Sequence, residues 1–223
     1  MPPSLLDIHA RLVAHYGPQH QCPFETPFAA LIAAILGQNT SRKNVELVLE
    51  NLQETGTLEA GKLYDLPDEE LEQLIRPAGN VRVKARRLRN FLGLLVERYD
   101  GSTEQMFAVG LETLRGELLA INGIGQETAD SILLEAGNLP SFVVGTHVER
   151  VLKRHGWVDF FADAQQIKDE IESSLEPDAA LYQQLHALFE RVGEEYCRKT
   201  PKCQGCPLED LLPESGPLQP PDF

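Results

Sequence analysis

The hydrophobic pattern along the chain is that of helices, and strand-like alternation is scarce. Thr26 and Pro27 form an N-cap and first-turn pair, and the run FAALIAAIL that follows is apolar on every side. A helix of that kind is buried. Gly, Pro, Asn and Asp punctuate nine further helical patterns, at about 43–54, 68–75, 83–99, 106–111, 114–120, 127–136, 148–155, 164–175 and 180–197. The pattern predicts an all-α protein of about ten helices.

The stretch SFVVGTHVERVL (141–152) is the least regular part of this pattern. An apolar, strand-like run stops at Gly145, and a helical pattern begins with Thr146 and His147. The glycine allows two interpretations. It is a backbone hinge, or it marks a position that has lost a side chain with a chemical role.

Length and composition indicate an ordinary globular protein. A chain of 223 residues suits one large domain or two packed lobes. No apolar run reaches the ~18 residues of a membrane span, and MPPSLLDIHARL at the N-terminus lacks the basic and apolar regions of a secretory signal. We therefore expect a cytoplasmic, monomeric protein with no membrane association.

The net charge of −14 argues against a general polyanion binder, because long-range steering would be repulsive. The charge is unevenly distributed, however. From Arg76 to Arg89 the chain carries six basic residues and no acid. Such a local basic footprint can seat a phosphate backbone, and the alternative interpretation is a solvated helix face.

The stretch LLAINGIGQETADSILLEAG (118–137) predicts two helices joined by a glycine-rich turn. Gly123 and Gly125 allow unusual backbone angles and a close approach of another backbone. The N–H groups at the start of the second helix favour an anion. The pattern indicates a helix–hairpin–helix that grips a nucleic-acid backbone without reading sequence, and a plain αα-corner is the alternative.

Five motifs together resemble the helix–hairpin–helix DNA glycosylases, specifically the endonuclease III branch. They are, in chain order, TPFAALIAAILGQNT, AGNVRVKARRL, INGIGQETADSIL, FVVGTHVERVL and YCRKTPKCQGCPLEDL. The resemblance covers roughly 24–212 and implies two helical lobes with a DNA cleft between them. It implies a six-helix barrel over 24–143, with the hairpin at about 114–136, and a second lobe built from 1–23 and 144–212. Residues 213–223 are expected to form a flexible tail.

The resemblance also implies roles for individual residues in base excision from double-stranded DNA. Gln38 would fill the gap left by a flipped base. The backbone of Gly123 and Gly125 would hold a phosphate, Lys84 would add charge, and Thr146, His147 and Arg150 would frame the site on the DNA side. Members that cut the strand use a lysine where this chain has Glu127. The resemblance therefore implies a monofunctional glycosylase, similar to a 3-methyladenine-type subgroup, located at the nucleoid if the source is bacterial or archaeal.

The catalytic aspartate of the family aligns with Gly145, which can neither take a proton nor stabilise a cation. Losing a catalytic carboxylate costs on the order of 10³-fold in rate or more. Three hypotheses follow. The acid is relocated, with Glu127 as the candidate because the family's lysine and aspartate face one pocket. The protein is a catalytically inactive DNA-binding paralogue. Gly145 is a variant change in an otherwise competent enzyme.

The terminal cysteines resemble the family's iron–sulfur loop, which holds a 4Fe–4S cluster through four ligands spaced C-x6-C-x2-C-x5-C. Here Cys197, Cys203 and Cys206 are spaced C-x5-C-x2-C, and Leu212 stands at the fourth position. The alternatives are a retained three-cysteine cluster, a loop held by packing, and a zinc ion shared with a histidine such as His186. We expect a retained cluster, because three soft ligands so close together are otherwise unexplained.

Overall fold

The computed structural model describes residues 3–19 and 24–219, and within these ranges the regular structure is entirely helical, with no strand. The fold class predicted from the sequence is therefore confirmed. The α-helices are α1 Leu5–Tyr16, α2 Pro27–Gly37, α3 Arg42–Glu54, α4 Ala60–Asp65, α5 Asp68–Leu74, α6 Val81–Tyr99, α7 Thr103–Ala108, α8 Leu111–Ala120, α9 Gln126–Ser131, α10 Thr146–Arg154, α11 Ala164–Ser174 and α12 Ala179–Glu195. None of these helices is long and apolar enough to cross a membrane.

Helices α1 and α4 and the end of α9 differ from the hydrophobic pattern, which does not predict a helix at 5–16 or 60–65. Helix α4 is a single short element with Ala60 and Leu63 buried, and six residues are too few to show a helical period. The pattern at 127–136 predicts one helix, but the chain changes from α9 to a π-helical turn at Ile132–Ala136. Within this turn Ile132, Leu133 and Leu134 are all buried.

The chain divides into two compact units, one formed by residues 1–21 and 140–223 (unit 1) and the other by residues 22–139 (unit 2). Unit 2 was expected to be a six-helix barrel. Its described residues form eight α-helices, α2 to α9, because several elements are single short helices. Unit 1 contains α1 and α10 to α12.

The boundary between the units lies at 139 rather than 143, because residues 140–143 are bound within unit 1. The Phe142 N–H donates to Glu172 Oε1 at 2.6 Å. The Lys168 ammonium donates to Ser141 Oγ at 2.8 Å and to the Phe142 carbonyl at 3.2 Å. These long-range partners lie on α11 and could not be deduced from local pattern.

The core of unit 2 is built around α2, as its apolar sequence predicts. Leu31, Ile32 and Leu36 have no exposed surface, and they belong to one hydrophobic cluster with residues of α3, α6, α8 and α9. Thr26 Oγ1 caps the helix by accepting from the Ala29 N–H at 3.1 Å. The cap and Pro27 therefore start α2 where the sequence indicates.

The segment after residue 212 contacts the end of α10. The flexible tail at 213–223 stays a prediction, and its last part, 220–223, lies outside the described residues. The Leu218 N–H donates to the Arg154 carbonyl at 2.9 Å, at the end of α10. A proline-rich composition gives no sign of such an acceptor, which the folded unit supplies.

Lys84 on α6 lies inside unit 2, with 3% of its surface exposed. Its ammonium donates to the carbonyls of Leu36 at 2.7 Å and Ala78 at 2.9 Å, and to Thr40 Oγ1. Burial, and secondly the Arg87 cation, lower the pKa of this amine. The expectation that Lys84 adds its charge to a DNA-contacting surface is therefore wrong, and its role is to join α2, α6 and the turn at Ala78.

We expect Lys84→Met to lower the free energy of unfolding by about 1–3 kcal/mol, because buried carbonyl oxygens lose their donor. Chemical denaturation followed by circular dichroism measures the change. Arg86→Met is the control, since Arg86 is exposed on the same helix and its loss should cost no more than about 0.5 kcal/mol. Equal midpoints for the two variants would contradict the bracing role.

Candidate functional site

The hairpin turn between α8 and α9 has two glycines with different structural requirements. Gly123 has φ of +99°, and a Cβ there would lie 2.5 Å from Arg87 Cγ. Both the backbone conformation and the close approach of Arg87 therefore require glycine. Asn90 Nδ2 donates to the Asn122 carbonyl at 2.9 Å, so α6 holds the turn at two adjacent residues.

Gly125 shows no such requirement within unit 2. Its φ of −96° and ψ of 178° are extended values that any residue adopts, and a Cβ there would meet nothing within 4 Å. It is the N-cap of α9 and offers no capping side chain. The first N–H groups of α9 are thus left without a side-chain cap next to open space, an arrangement suited to an anion that must approach the backbone closely.

Arg115 and Asp130 connect the two helices of the hairpin. Arg115 Nε lies 2.7 Å from Asp130 Oδ1, and Arg115 Nη2 lies 3.2 Å from Asp130 Oδ2. The Asp130 side chain is 3% exposed. The bidentate geometry of this ion pair fixes the orientation of the two side chains relative to each other. Sequence reasoning missed it, although an acid on the buried face of a short helix was the available signal.

Glu127 is exposed in the first turn of α9. A carboxylate there favours the helix through the N-terminal partial positive charge. The position therefore carries an acid where strand-cutting relatives would carry an amine, and the helix itself benefits from that acid.

Gln38 lies on the loop that follows α2. Its side chain is exposed, and the next residue, Asn39, has a positive φ of 54°. The Thr40 N–H donates to the Gly37 carbonyl at 2.9 Å and closes the turn. Arg87 Nη1 donates to Gln38 Oε1, so an exposed amide on a tight loop is held by a residue of α6. The sequence singled out Gln38 and missed Arg87.

Gly145 is the buried N-cap of α10 in unit 1. Its φ of −92° and ψ of 175° are close to the −80° and 173° of Asp163, which caps α11 with its side chain. The backbone at 145 already has the conformation of an aspartate N-cap. Its φ and ψ therefore do not by themselves require glycine, and the hinge interpretation of Gly145 stays a prediction.

Two carboxylates near Gly145 are already engaged in ion pairs within unit 1. Glu149, one helical turn after Gly145, has Oε1 2.6 Å from Lys153 Nζ. Glu190 on α12 has Oε2 2.6 Å from His147 Nδ1. Glu190 was missed because it lies 43 residues from His147 in the chain.

Residues 146, 147 and 150 have different surroundings. Thr146 is exposed, and His147 packs against Gly193, where a Cβ would lie 2.5 Å from His147 Cβ. Arg150 Nε donates to the Cys197 carbonyl, and Nη2 donates to the Gly193 carbonyl at 3.3 Å. The prediction of a DNA-contacting Arg150 needs correction, because its guanidinium is used inside unit 1. Thr146 and His147 stay predictions.

The cysteine loop is bound to the end of α10 by side chains. Arg154 Nη1 donates to the Arg198 carbonyl at 2.5 Å and lies 3.5 Å from Cys197 Sγ, and Nη2 donates to the Lys199 carbonyl at 2.9 Å. His155 Nε2 lies 3.3 Å from the Leu208 carbonyl, and burial lowers the pKa of this imidazole. The loop therefore has its own protein-based anchor.

The three thiols line one small cavity together with Leu212. The cavity has a volume of about 10 Å³, roughly the space of one water molecule. Burial raises the pKa of the Cys206 thiol to about 11 and also raises that of Cys203. Among residues 3–19 and 24–219, no three His, Cys, Asp or Glu side chains are arranged as ligands of one metal ion. The retained cluster and the zinc ion shared with His186 both stay predictions.

Comparisons with known proteins agree with this geometry. A model of the HhH-GPD superfamily of base excision DNA repair proteins matches residues 32–177. A protein of Methanocaldococcus jannaschii named as a DNA repair glycosylase is 42% identical over 206 residues, which are 92% of this chain and 93% of that protein. The endonuclease III of Thermotoga maritima is 30% identical over 185 residues, which are 82% and 81% of the two chains.

Solved structures give the same result. An endonuclease III–DNA complex matches with a TM-score of 0.78 and 26% identity, covering 95% of this chain and 96% of its own. A 3-methyladenine DNA glycosylase of H. pylori matches in fold with a TM-score of 0.75 and 23% identity, covering 86% and 98%. The family match covers more than half of the chain and includes the glycine-rich hairpin, Gln38 and Gly145. The chain therefore belongs to the HhH-GPD superfamily of base excision DNA repair proteins, in its endonuclease III-like branch.

Proposed function

We propose that this protein is a DNA N-glycosylase that removes a damaged or mispaired base from double-stranded DNA and lacks a lysine-dependent lyase step. The hairpin is the observation that carries the proposal. Gly125 leaves the α9 N-terminus uncapped beside open space, and neither its φ nor its contacts require glycine. A phosphate backbone supplies both the negative charge and the close approach that this arrangement favours.

Gln38 has the second role in this proposal. A base that is excised must leave the stack, and a side chain that enters the gap lowers the cost of unstacking. The exposed amide of Gln38 lies on a tight loop whose conformation is fixed by Asn39 and by the C-terminal end of α2. A solved endonuclease III–DNA complex, at 26% identity, supports DNA binding by this fold.

Excision without strand cutting follows from Glu127. A Schiff base with the sugar needs a neutral amine, and a carboxylate occupies the hairpin position where the resemblance implies that amine. The abasic product would then be passed on intact to an enzyme that cleaves abasic sites.

The catalytic acid of this proposal lies elsewhere than the family position, because that position is Gly145. Glu127 remains the candidate for the relocated carboxylate, and it is exposed on the hairpin helix. Glu149 in unit 1 is the carboxylate with which Glu127 is compared. It lies one helical turn after Gly145 and pairs with Lys153. A catalytically inactive DNA-binding protein is the second candidate function. It is favoured by the observation that position 145 keeps the backbone of an aspartate N-cap without the side chain.

Gly145→Asp tests whether the rest of the site is competent. If the native chain has no relocated acid, excision on a lesion panel should rise on the order of 10³-fold, because a carboxylate returns to stabilise the developing cation; a working acid elsewhere, such as Glu127, predicts a much smaller rise. The variant should also be about 0.5–1 kcal/mol more stable, through the N-cap and a less flexible unfolded chain. Alkaline cleavage of the product measures excision.

Gly145→Asn is the matched control for that prediction, since it caps the helix equally well but carries no charge. It should gain the stability and not the activity. Excision by the native protein would support the glycosylase. Excision by Gly145→Asp but not by the native protein would indicate that the native chain binds DNA without excising a base. Absence of excision by both variants would contradict a competent pocket.

The lyase prediction is tested by borohydride trapping on DNA that already contains an abasic site. We expect no covalent adduct with the native protein, because position 127 has no amine, and an adduct with Glu127→Lys. Glu112→Lys, an exposed acid on the preceding helix, controls for charge alone. A trapped adduct with the native protein would overturn the monofunctional assignment.

Glu127→Gln and Glu149→Gln separate the two candidate acids. If Glu127 is the relocated acid, Glu127→Gln should abolish base excision, on the order of 10³-fold, and Glu149→Gln should keep most of it. Both changes preserve side-chain size, so melting temperatures should stay within a few degrees. Retained activity in Glu127→Gln with loss in Glu149→Gln would transfer the role to α10.

A further inference from the structure

Three polar side chains at three-residue intervals on α6 contact the two loops of the proposed DNA site. Lys84, Arg87 and Asn90 lie in one row, because residues three apart are neighbours on a helix surface. Lys84 binds the base of the Gln38 loop through the Leu36 carbonyl. Asn90 binds the hairpin turn through the Asn122 carbonyl. Arg87, between them, contacts both loops.

The contact of Arg87 with the hairpin is made by its stem. A Cβ on Gly123 would lie 2.5 Å from Arg87 Cγ, 3.2 Å from Nε and 3.3 Å from Cδ. The aliphatic part of Arg87 therefore fills the space against the turn at a residue that must be glycine. Any displacement of the turn toward α6 is opposed by this packing.

The contact of Arg87 with Gln38 is made by its guanidinium. Nη1 donates to Gln38 Oε1, and since a guanidinium has no acceptor, the partner must be the amide oxygen rather than the amide nitrogen. The orientation of the Gln38 amide is thereby fixed. Its NH₂ group is the part left to donate to a partner outside the protein.

We infer that Arg87 is a positioning residue that fixes the distance and orientation of Gln38 relative to the phosphate-binding hairpin. This inference rests on the proposed function. A duplex held by one phosphate at the hairpin presents its base stack at a set distance from that phosphate. Gln38 can enter the base stack only if its distance from the phosphate-binding turn is also fixed. Arg87 contacts both Gln38 and that turn.

The experiment compares binding to two duplexes that differ only in one stable abasic-site analogue. Arg87→Met is the main variant, because it keeps an unbranched stem against Gly123 and removes only the guanidinium. Gln38→Ala and the double variant complete a double-mutant cycle. Arg86→Met removes the same charge from an exposed position on the same helix, and fluorescence anisotropy gives each affinity without any need for catalysis.

We expect Arg87→Met and Gln38→Ala each to reduce the preference for the abasic duplex about tenfold, the size of a charge-assisted hydrogen bond. The double variant should lose no more than either single variant. Arg86→Met should weaken binding to both duplexes equally, through lost counterion release, and leave the preference unchanged. A fluorescent base opposite the abasic site should report less unstacking in Arg87→Met than in Arg86→Met.

Two outcomes overturn the inference by itself. One is an abasic preference in Arg87→Met equal to that of Arg86→Met, and the other is a double variant whose losses multiply. A Gln38→Ala variant with full preference, or a native protein with none, instead overturns the proposed function, and the role of Arg87 with it. Arg87→Ala repeats the comparison with the aliphatic part of the side chain removed as well. Melting curves for every variant separate a folding defect from a loss of positioning.

Discussion

The buried ammonium of Lys84 is the constraint on which the described site in unit 2 depends. Among the described residues no carboxylate hydrogen-bonds it, and its charge is compensated by carbonyl oxygens of Leu36 and Ala78 and by Thr40 Oγ1. The Leu36 carbonyl belongs to the last turn of α2, where the helix carries partial negative charge. One side chain therefore satisfies the end of a buried helix and fixes the start of the Gln38 loop. The same helix, α6, then reaches the hairpin through Arg87 and Asn90.

Unit 1 shows that the start of α10 keeps the backbone of an N-cap without a capping side chain. Gly145 keeps the extended backbone of an N-cap, and its carbonyl still accepts the first hydrogen bond of α10, from the Glu149 N–H at 3.0 Å. The missing capping side chain costs about a few tenths of a kcal/mol, since glycine is tolerated at an N-cap. Fold and chemistry thus separate at a single side chain, which is why membership of the family does not by itself establish excision.

The cysteine loop illustrates a related separation. In the arrangement described, cationic side chains of α10 bind the loop carbonyls, from Arg150 to Cys197 and from Arg154 to Arg198 and Lys199. Hydrogen bonds of guanidinium groups to carbonyls are strong because the donor is charged. The loop is connected to α10 by these contacts, whatever the thiols bind. Arg150, which the resemblance placed on the DNA side, therefore serves the interior of the unit.

The sequence by itself determined the helical class, the burial of α2, the glycine-rich turn and the identity of the residue at 145. These follow from local causes: hydrophobic period, capping residues and the backbone freedom of glycine. Only the tertiary structure decided where the long basic side chains point. Lys84 and Arg150 turn inward and Arg87 bridges two loops, because their acceptors come from segments 43 to 49 residues away in the chain. A long basic side chain points toward the oxygen atoms that can accept its hydrogen bonds. Those oxygen atoms reach their positions only when the chain folds.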